Sequence, residues 1–203
     1  MSDPVRQLAA TLQESGPDER IALLRAHLAH PPETRSDYDL NPGMPPPEEL
    51  TPAAVLIPMV AREGGMTMLL TQRTNNLAHH PGQVSFPGGH VEDNDSTPEE
   101  TALRETEEEV GIDRRHIHII GKLANYWTRT GFTVTPVVGI VTPPFDILPD
   151  PSEVAEVFEV PLDFLMDSTN HERQSREYKG AVRQFYAMPY NGYYIWGATA
   201  GML

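Results

Sequence analysis

The chain has 203 residues, enough for one domain of ordinary size plus an extension, with a core that needs neither disulfides nor a structural metal. Fifteen Lys and Arg stand against 29 Asp and Glu, a net charge of −14 that repels nucleic acid and anionic membranes. No cysteine is present, which excludes disulfides, thiolate metal sites and Cys nucleophiles.

The first residues, MSDPVRQLAATLQESG, contain no apolar signal core, and no apolar run approaches the roughly 18 residues of a membrane span. The expectation is a soluble, cytoplasmic protein. Over residues 4–29, Leu8, Leu12, Ile21, Leu24 and Leu28 recur at near-helical spacing. The turn signal Ser15-Gly16-Pro17-Asp18 interrupts them, so two short helices are predicted. Residues 31–52 hold seven prolines and almost no periodic apolar signal, as a linker or an ordered surface loop would. Residues 1–49 thus read as a helical extension and Pro-rich linker ahead of a domain at 50–203. The extension carries no motif, which points to packing or homodimer formation instead of chemistry.

From Ala53 the texture changes. AAVLIPMVA (53–61) and MTMLLTQR (66–73), joined by Arg62-Glu63-Gly64-Gly65, predict a β-hairpin. After a Gly/Pro-rich stretch at 81–98 comes one strong helix: Thr97 suits the N-cap, Pro98 the first position and Glu100 a capping box, and Gly111 ends it. Strands are expected at 116–127 and 132–141, a short helix at 161–166, a hairpin across 181–196 and a last helical turn. Without strict βαβ alternation, this mixture implies a mixed sheet with helices on both faces.

The helix carries unusual charge. At about 100° per residue, Glu105, Glu108 and Glu109 share one arc, while Leu103, Thr106 and Val110 lie on the other side and can face the core. Like charges at this spacing cost about 0.2–0.5 kcal/mol per pair, and the helix dipole disfavours anions in the C-terminal half. Bound cations remove both penalties, and three carboxylates suit hard ions such as Mg²⁺ or Mn²⁺. A solvated face is the ordinary reading of a Glu run. The upstream Gly88-Gly89 shifts the balance, since glycines there let the backbone approach a ligand. Arg104, four residues before Glu108, is placed to hold that carboxylate.

Arg104-Glu105-Thr106-Glu107-Glu108-Glu109-Val110-Gly111-Ile112 resembles the end of the Nudix box, G-x5-E-x7-R-E-U-x-E-E-x-G-U with U aliphatic. Thr106 fills an aliphatic position, Asp95 replaces the leading Glu, and the spacer to Arg104 is eight residues instead of seven. A narrower resemblance covers Leu69-Leu70-Thr71-Gln72-Arg73-Thr74, Ala78, Gly82 and Phe86-Pro87-Gly88-Gly89. It is similar to L-L-T-x-R-[SA]-x3-R-x3-G-x3-F-P-G-G of the coenzyme A diphosphatase branch, departing mildly at Thr74 and, where the branch has Arg, at Ala78. The extra spacer residue and Asp95 look like that branch too, as do segments at 135–140, 152–162 and 196–201.

The resemblance implies an α/β Nudix sandwich (α/β/α with a mixed β-sheet) and a Mg²⁺- or Mn²⁺-dependent pyrophosphatase. Water attacks a phosphorus of a nucleoside diphosphate-linked small molecule. Coenzyme A or an acyl derivative is the leading substrate, with ADP-ribose, NADH or another nucleotide as the enzymatic alternative. A non-catalytic Nudix binding module is the rival from another class, and the intact glutamates argue against it. By the same resemblance, Glu105, Glu108, Glu109 and Gly89 through its carbonyl form the metal shell. Glu105 is the expected base on water, with Arg104 and Glu108 as its catalytic companions. Arg73, Gly88, His79 and His80 are expected to face the substrate. Glu153 and Glu156 compete as bases from another loop. His90 flanks the same loop, His116 and His118 read as the polar face of a strand, and Tyr190, Tyr193, Tyr194 and Trp196 read as strand packing sooner than as an adenine platform.

Overall fold

The structure, a computed structural model, describes residues 11, 15–29, 33–41, 43, 44, 47–77, 80–178 and 180–203. The centre is β2 (Thr51–Arg62), whose near-continuous apolar run suits a strand buried on both faces. It runs parallel to β8 (Phe132–Val141) over ten residue pairs, from Thr51↔Phe132 to Val60↔Val141. Its other edge is shared. The far end pairs with β3 (Gly65–Arg73) in the expected hairpin, and the near end pairs with β5 (Gly88–His90). Four further strands complete a nine-stranded mixed sheet among the described residues together with β1 (Arg35–Ser36): β4 (Val84–Ser85) and β9 (Val154–Pro161) on β3, β6 (Ile117–Lys122) and β7 (Tyr126–Trp127) on β8.

One face packs against helix α2 (Pro98–Val110). Ala54, Leu56, Leu69, Val137 and Val141 of the sheet meet Ala102 and Val110 there. The other face buries Ile57, Met59, Leu70, Ile140, Phe158 and Val160. It is covered by α3 (Leu162–Met166), α4 (Ala198–Met202) and a three-stranded sheet of β10 (Glu172–Tyr178), β11 (Ala181–Tyr190) and β12 (Tyr193–Trp196). Helix α1 (Pro17–Leu28) joins this face, with Ile21, Leu24 and Leu28 packed on its core. Leu28 reaches Gly121, where any side chain would collide with it.

The first of the two N-terminal helices falls largely outside the described residues; the second is α1. The described residues 33–41 of the Pro-rich stretch are stitched down and do not form a free linker. Arg35–Ser36 pair with β7. The Tyr126 hydroxyl donates to Asp37 at 2.8 Å, and the Arg129 N–H donates to the same carboxylate at 2.9 Å. Buried Asn41 pairs with both backbone groups of Gln184, donating at 3.0 Å and accepting at 2.9 Å, and so ties this stretch to the second sheet. Strands β9 and β10 are not predicted from sequence. Their interleaved charges hide the pattern: Glu159 in β9 is satisfied by Arg62 and Thr67 across the sheet. His118 pairs with Arg25 of α1, and His116 ends a 3₁₀ turn just before β6. Among the described residues, no helix is long and apolar enough to cross a membrane.

Candidate active site

Helix α2 starts and stops as its sequence dictates. Thr97 accepts the Glu100 N–H at 3.3 Å, Pro98 takes the first turn, and Gly111 closes the helix at φ 76°. The capping box is displaced by one residue: the Glu100 carboxylate accepts the Ser96 N–H at 2.8 Å and the Ser96 hydroxyl at 2.6 Å, so it serves Ser96 in place of Thr97.

The glycine pair meets this helix through β5, where Gly88 lies opposite Val55 and Gly89 opposite Ala54. Gly88 sits at φ 155°, and a Cβ there would collide with the Ala54 carbonyl. A Cβ on Gly89 would collide with the Glu105 carboxylate. Gly88 therefore needs to be glycine because backbone lies behind it, whereas a side chain at Gly89 would displace the Glu105 carboxylate in front. The Gly88 N–H donates to Glu109 at 3.1 Å, which fixes the buried carboxylate against the loop.

The three helix glutamates are not equivalent. The Glu108 side chain is 60% exposed, Glu105 16% and Glu109 only 6%. Sequence periodicity groups them on one arc; β5, together with the Arg73 side chain at the end of β3, covers the Glu109 end of it and leaves Glu108 at the rim. Burial pushes the Glu109 carboxyl up to about 7; the Gly88 N–H and Arg73 oppose the rise, and the charges of Glu105 and Glu153 add to it. Glu105 is raised as well, again chiefly by burial.

Arg104 organises the exposed half. It donates to Glu108 at 3.0 Å, as its spacing predicts, and also to Glu105 at 2.9 Å and to the His90 carbonyl at 3.1 Å. Its fork is bidentate to Asp95, at 3.1 and 2.9 Å, and this pairing holds the Asp95 carboxyl well below the usual range. Asp95 also accepts the Thr101 hydroxyl at 2.9 Å, so the shorter acid at the leading box position docks onto the helix it precedes.

Arg73 ends β3 facing the same cluster, 3.6 Å from Glu109 and 4.0 Å from Glu153. The two loop acids considered as bases part company here. Glu153 joins the carboxylates, whereas Glu156 accepts the Tyr193 hydroxyl at 2.7 Å, beside a Tyr193 ring stacked on core residue Phe158, away from the cluster. His80 is exposed and bonded to Gln83 at 2.9 Å, and the His90 ring packs edge-on against Phe132. Tyr190 packs on Phe164, and Trp196 on Phe185. His79 and Ala78 lie outside the described residues.

Among the described residues, no three His, Asp or Glu side chains already converge as a metal cage. Arg104 stands between Glu105 and Glu108 and bonds both. The donor chemistry nevertheless fits a hard divalent ion. A buried carboxylate with one cation at 3.6 Å, a second half-buried acid and an exposed third repel one another, and all offer oxygen.

The family model described as NUDIX domain matches residues 50–180. The chain belongs to the Nudix hydrolases. It is similar to a protein of Pectobacterium atrosepticum described as an uncharacterized Nudix hydrolase, NudL, with 38% identity over 170 residues, 84% of this chain and 88% of that one. A NudL of Enterobacter sp. with the same description is 42% identical over 151 residues, 74% of this chain and 78% of that one. A Nudix hydrolase from M. smegmatis, RenU, is a solved structure with 25% identity and a TM-score of 0.49, covering 58% of this chain and 74% of its own. As a Nudix hydrolase, the chain is an enzyme acting on phosphorus-containing anhydrides, and its α/β fold with a mixed sheet is that of the family.

Proposed function

We propose that this Nudix hydrolase is a Mg²⁺- or Mn²⁺-dependent diphosphatase of coenzyme A or acyl-coenzyme A. The products are adenosine 3′,5′-bisphosphate and a 4′-phosphopantetheine species. The observation that supports the site is the convergence of Gly88-Gly89, Glu105, Glu109 and Arg73 at one edge of α2. The substrate is supported by the run from Leu69 to Gly89, which resembles the coenzyme A branch at all but two of its fixed positions.

Glu105, Glu108, Glu109 and the Gly89 carbonyl would hold the ion. A divalent ion there supplies charge neutralisation of the diphosphate and acidification of the attacking water. Glu105 is the base: it lies against Gly89, and burial raises its proton affinity towards that of a competent acceptor. Arg104 steadies Glu105 and Glu108 through one guanidinium nitrogen, at 2.9 and 3.0 Å. Arg73 faces a phosphate oxygen, and Gly88 leaves backbone room beside it. His80 is exposed on the loop after β3, and it and its sequence neighbour His79 are the remaining substrate-contact candidates.

The test is a panel of coenzyme A, acyl-coenzyme A, dephospho-coenzyme A, ADP-ribose and NADH with Mg²⁺ or Mn²⁺, products identified by mass. Coenzyme A should give the highest kcat/KM and release adenosine 3′,5′-bisphosphate. A clear preference for ADP-ribose or NADH would transfer the assignment to the second reading, which the absent branch Arg at Ala78 favours.

A further inference from the structure

The junction of β3 and β9 is irregular at the point where it meets the carboxylates. Thr71 pairs with Val157 and Gln72 with Glu156, but Arg73 pairs with Val154, so β9 has one extra residue, Ala155, at this step. Such bulges bend a strand and re-aim the side chains beside it. The chain before β9 is then pinned. The Thr74 N–H donates to the Glu153 carbonyl at 2.8 Å, and the Thr74 hydroxyl donates to the Ser152 carbonyl at 3.2 Å. Asp150 closes the turn by accepting the Ser152 N–H and hydroxyl, both at 2.8 Å, and its own N–H donates to the Glu109 carbonyl at 3.0 Å. The segment 150–153 therefore spans from the end of β3 to the C-terminal end of α2. It delivers one side chain, Glu153, beside Arg73.

Arg73 is shared. One terminal nitrogen lies 3.6 Å from Glu109 and the other 4.0 Å from Glu153. Neither distance is a full hydrogen bond, so the guanidinium is balanced between a buried acid and a half-exposed one. Glu153 alone of the two has no place in the proposed metal shell. Resting on the function proposed above, we propose that Glu153 is a positioning residue: it draws the Arg73 guanidinium outward, which keeps Arg73 from closing onto Glu109 and leaves it facing the substrate diphosphate. Without Glu153, nothing on this side opposes the pull of Glu109, already the nearer acid at 3.6 Å, and an Arg bonded to Glu109 competes with the metal for that carboxylate.

The experiment is a double-mutant cycle of Glu153→Gln and Arg73→Met, read by calorimetric titration of the metal-stripped full chain with MnCl₂ and by steady-state kinetics. Glu153→Gln should weaken Mn²⁺ binding by up to about fivefold, the upper range for a half-exposed ion pair. It should raise KM more than it lowers kcat. In the Arg73→Met background the same change should move the Mn²⁺ Kd by less than about twofold, because the group it acts through is gone. Glu153→Asp, which keeps the charge, should restore part of the loss. An equal shift in both backgrounds would show that Glu153 acts on the ion directly and would overturn this inference alone. So would a fall in kcat of about 100-fold with KM unchanged, the signature of a group acting on the reacting atoms. A wild-type protein that binds no Mn²⁺ would sink the metal reading and this inference with it.

Discussion

Burial of the Glu109 carboxylate costs stability in the metal-free protein, and the cost depends on pH in a direction that can be worked out. Its carboxyl titrates at 4.5 when exposed and at about 7 in the fold. Because the folded value is the higher one, the folded state holds the proton more tightly than the unfolded chain. That preference is fully present below about pH 4.5 and is lost as pH rises through 7, where the buried side chain becomes charged. The difference corresponds to about 3 kcal/mol against the folded, charged form. Glu109→Gln removes the charge, and the amide oxygen can still accept the Gly88 N–H. At pH 8 without metal, the variant should therefore be more stable than the wild type by up to about 3 kcal/mol, a rise of about 6–12 °C in Tm. The order should reverse with Mn²⁺, which stabilises the wild type and does little for the variant. Proton competition adds a second signature: Mn²⁺ binding to the wild type should weaken about tenfold between pH 8 and pH 6, and less in Glu109→Gln. The assay is a thermal melt at pH 6 and pH 8, with EDTA or MnCl₂, alongside calorimetric titration. Equal Tm values for the two proteins at pH 8 in EDTA would refute the argument that Glu109 is a strained buried anion; equal stabilisation of both by Mn²⁺ would remove it from the metal shell.

Three further expectations can be checked with ordinary variants. Gly89→Ala places a methyl group into the Glu105 carboxylate and should lower kcat by about 10²-fold, on the scale of lost transition-state stabilisation, with circular dichroism unchanged; full activity would separate Glu105 from the chemistry. Deleting residues 1–30 removes Ile21, Leu24 and Leu28 from the core, so the truncated protein should lose about 3 kcal/mol by denaturant melt while keeping kcat; a large loss of kcat in a folded truncation would place chemistry in the extension. Ala78→Arg should raise the kcat/KM ratio of coenzyme A over dephospho-coenzyme A by about 10-fold or more, one charge-assisted hydrogen bond to the 3′-phosphate; an unmoved ratio would make Ala78 irrelevant to substrate choice.

Much of the architecture is local and therefore readable along the chain. Helix α2 is bounded by Thr97, Pro98 and Gly111 through interactions within a turn of each end, and the β2–β3 hairpin follows from two apolar runs around Glu63-Gly64. The box residues, including the reach of Arg104 to Glu108, are likewise set by helical periodicity. What periodicity alone does not supply is the inequality of the three glutamates. Glu105, Glu108 and Glu109 share an arc in sequence, but which of them is buried depends on β5 and on Arg73 of β3, brought to that arc from 16 or more residues away. The same holds for Glu153 and Glu156, which are alike in sequence but meet different partners, Arg73 for the first and Tyr193 for the second, each brought in from far along the chain. The Pro-rich stretch at 31–52 has no periodicity to betray its role, because Asp37 and Asn41 act through single side-chain bonds to Tyr126 and Gln184, far along the chain. The sequence by itself determined the β2–β3 hairpin and the acid-bearing helix, because those rest on contacts between near neighbours, and its motif pointed to the family. Only the tertiary structure decided which carboxylate is desolvated and which acid stands beside Arg73, because burial and charge pairing are set by segments that the chain brings together from a distance.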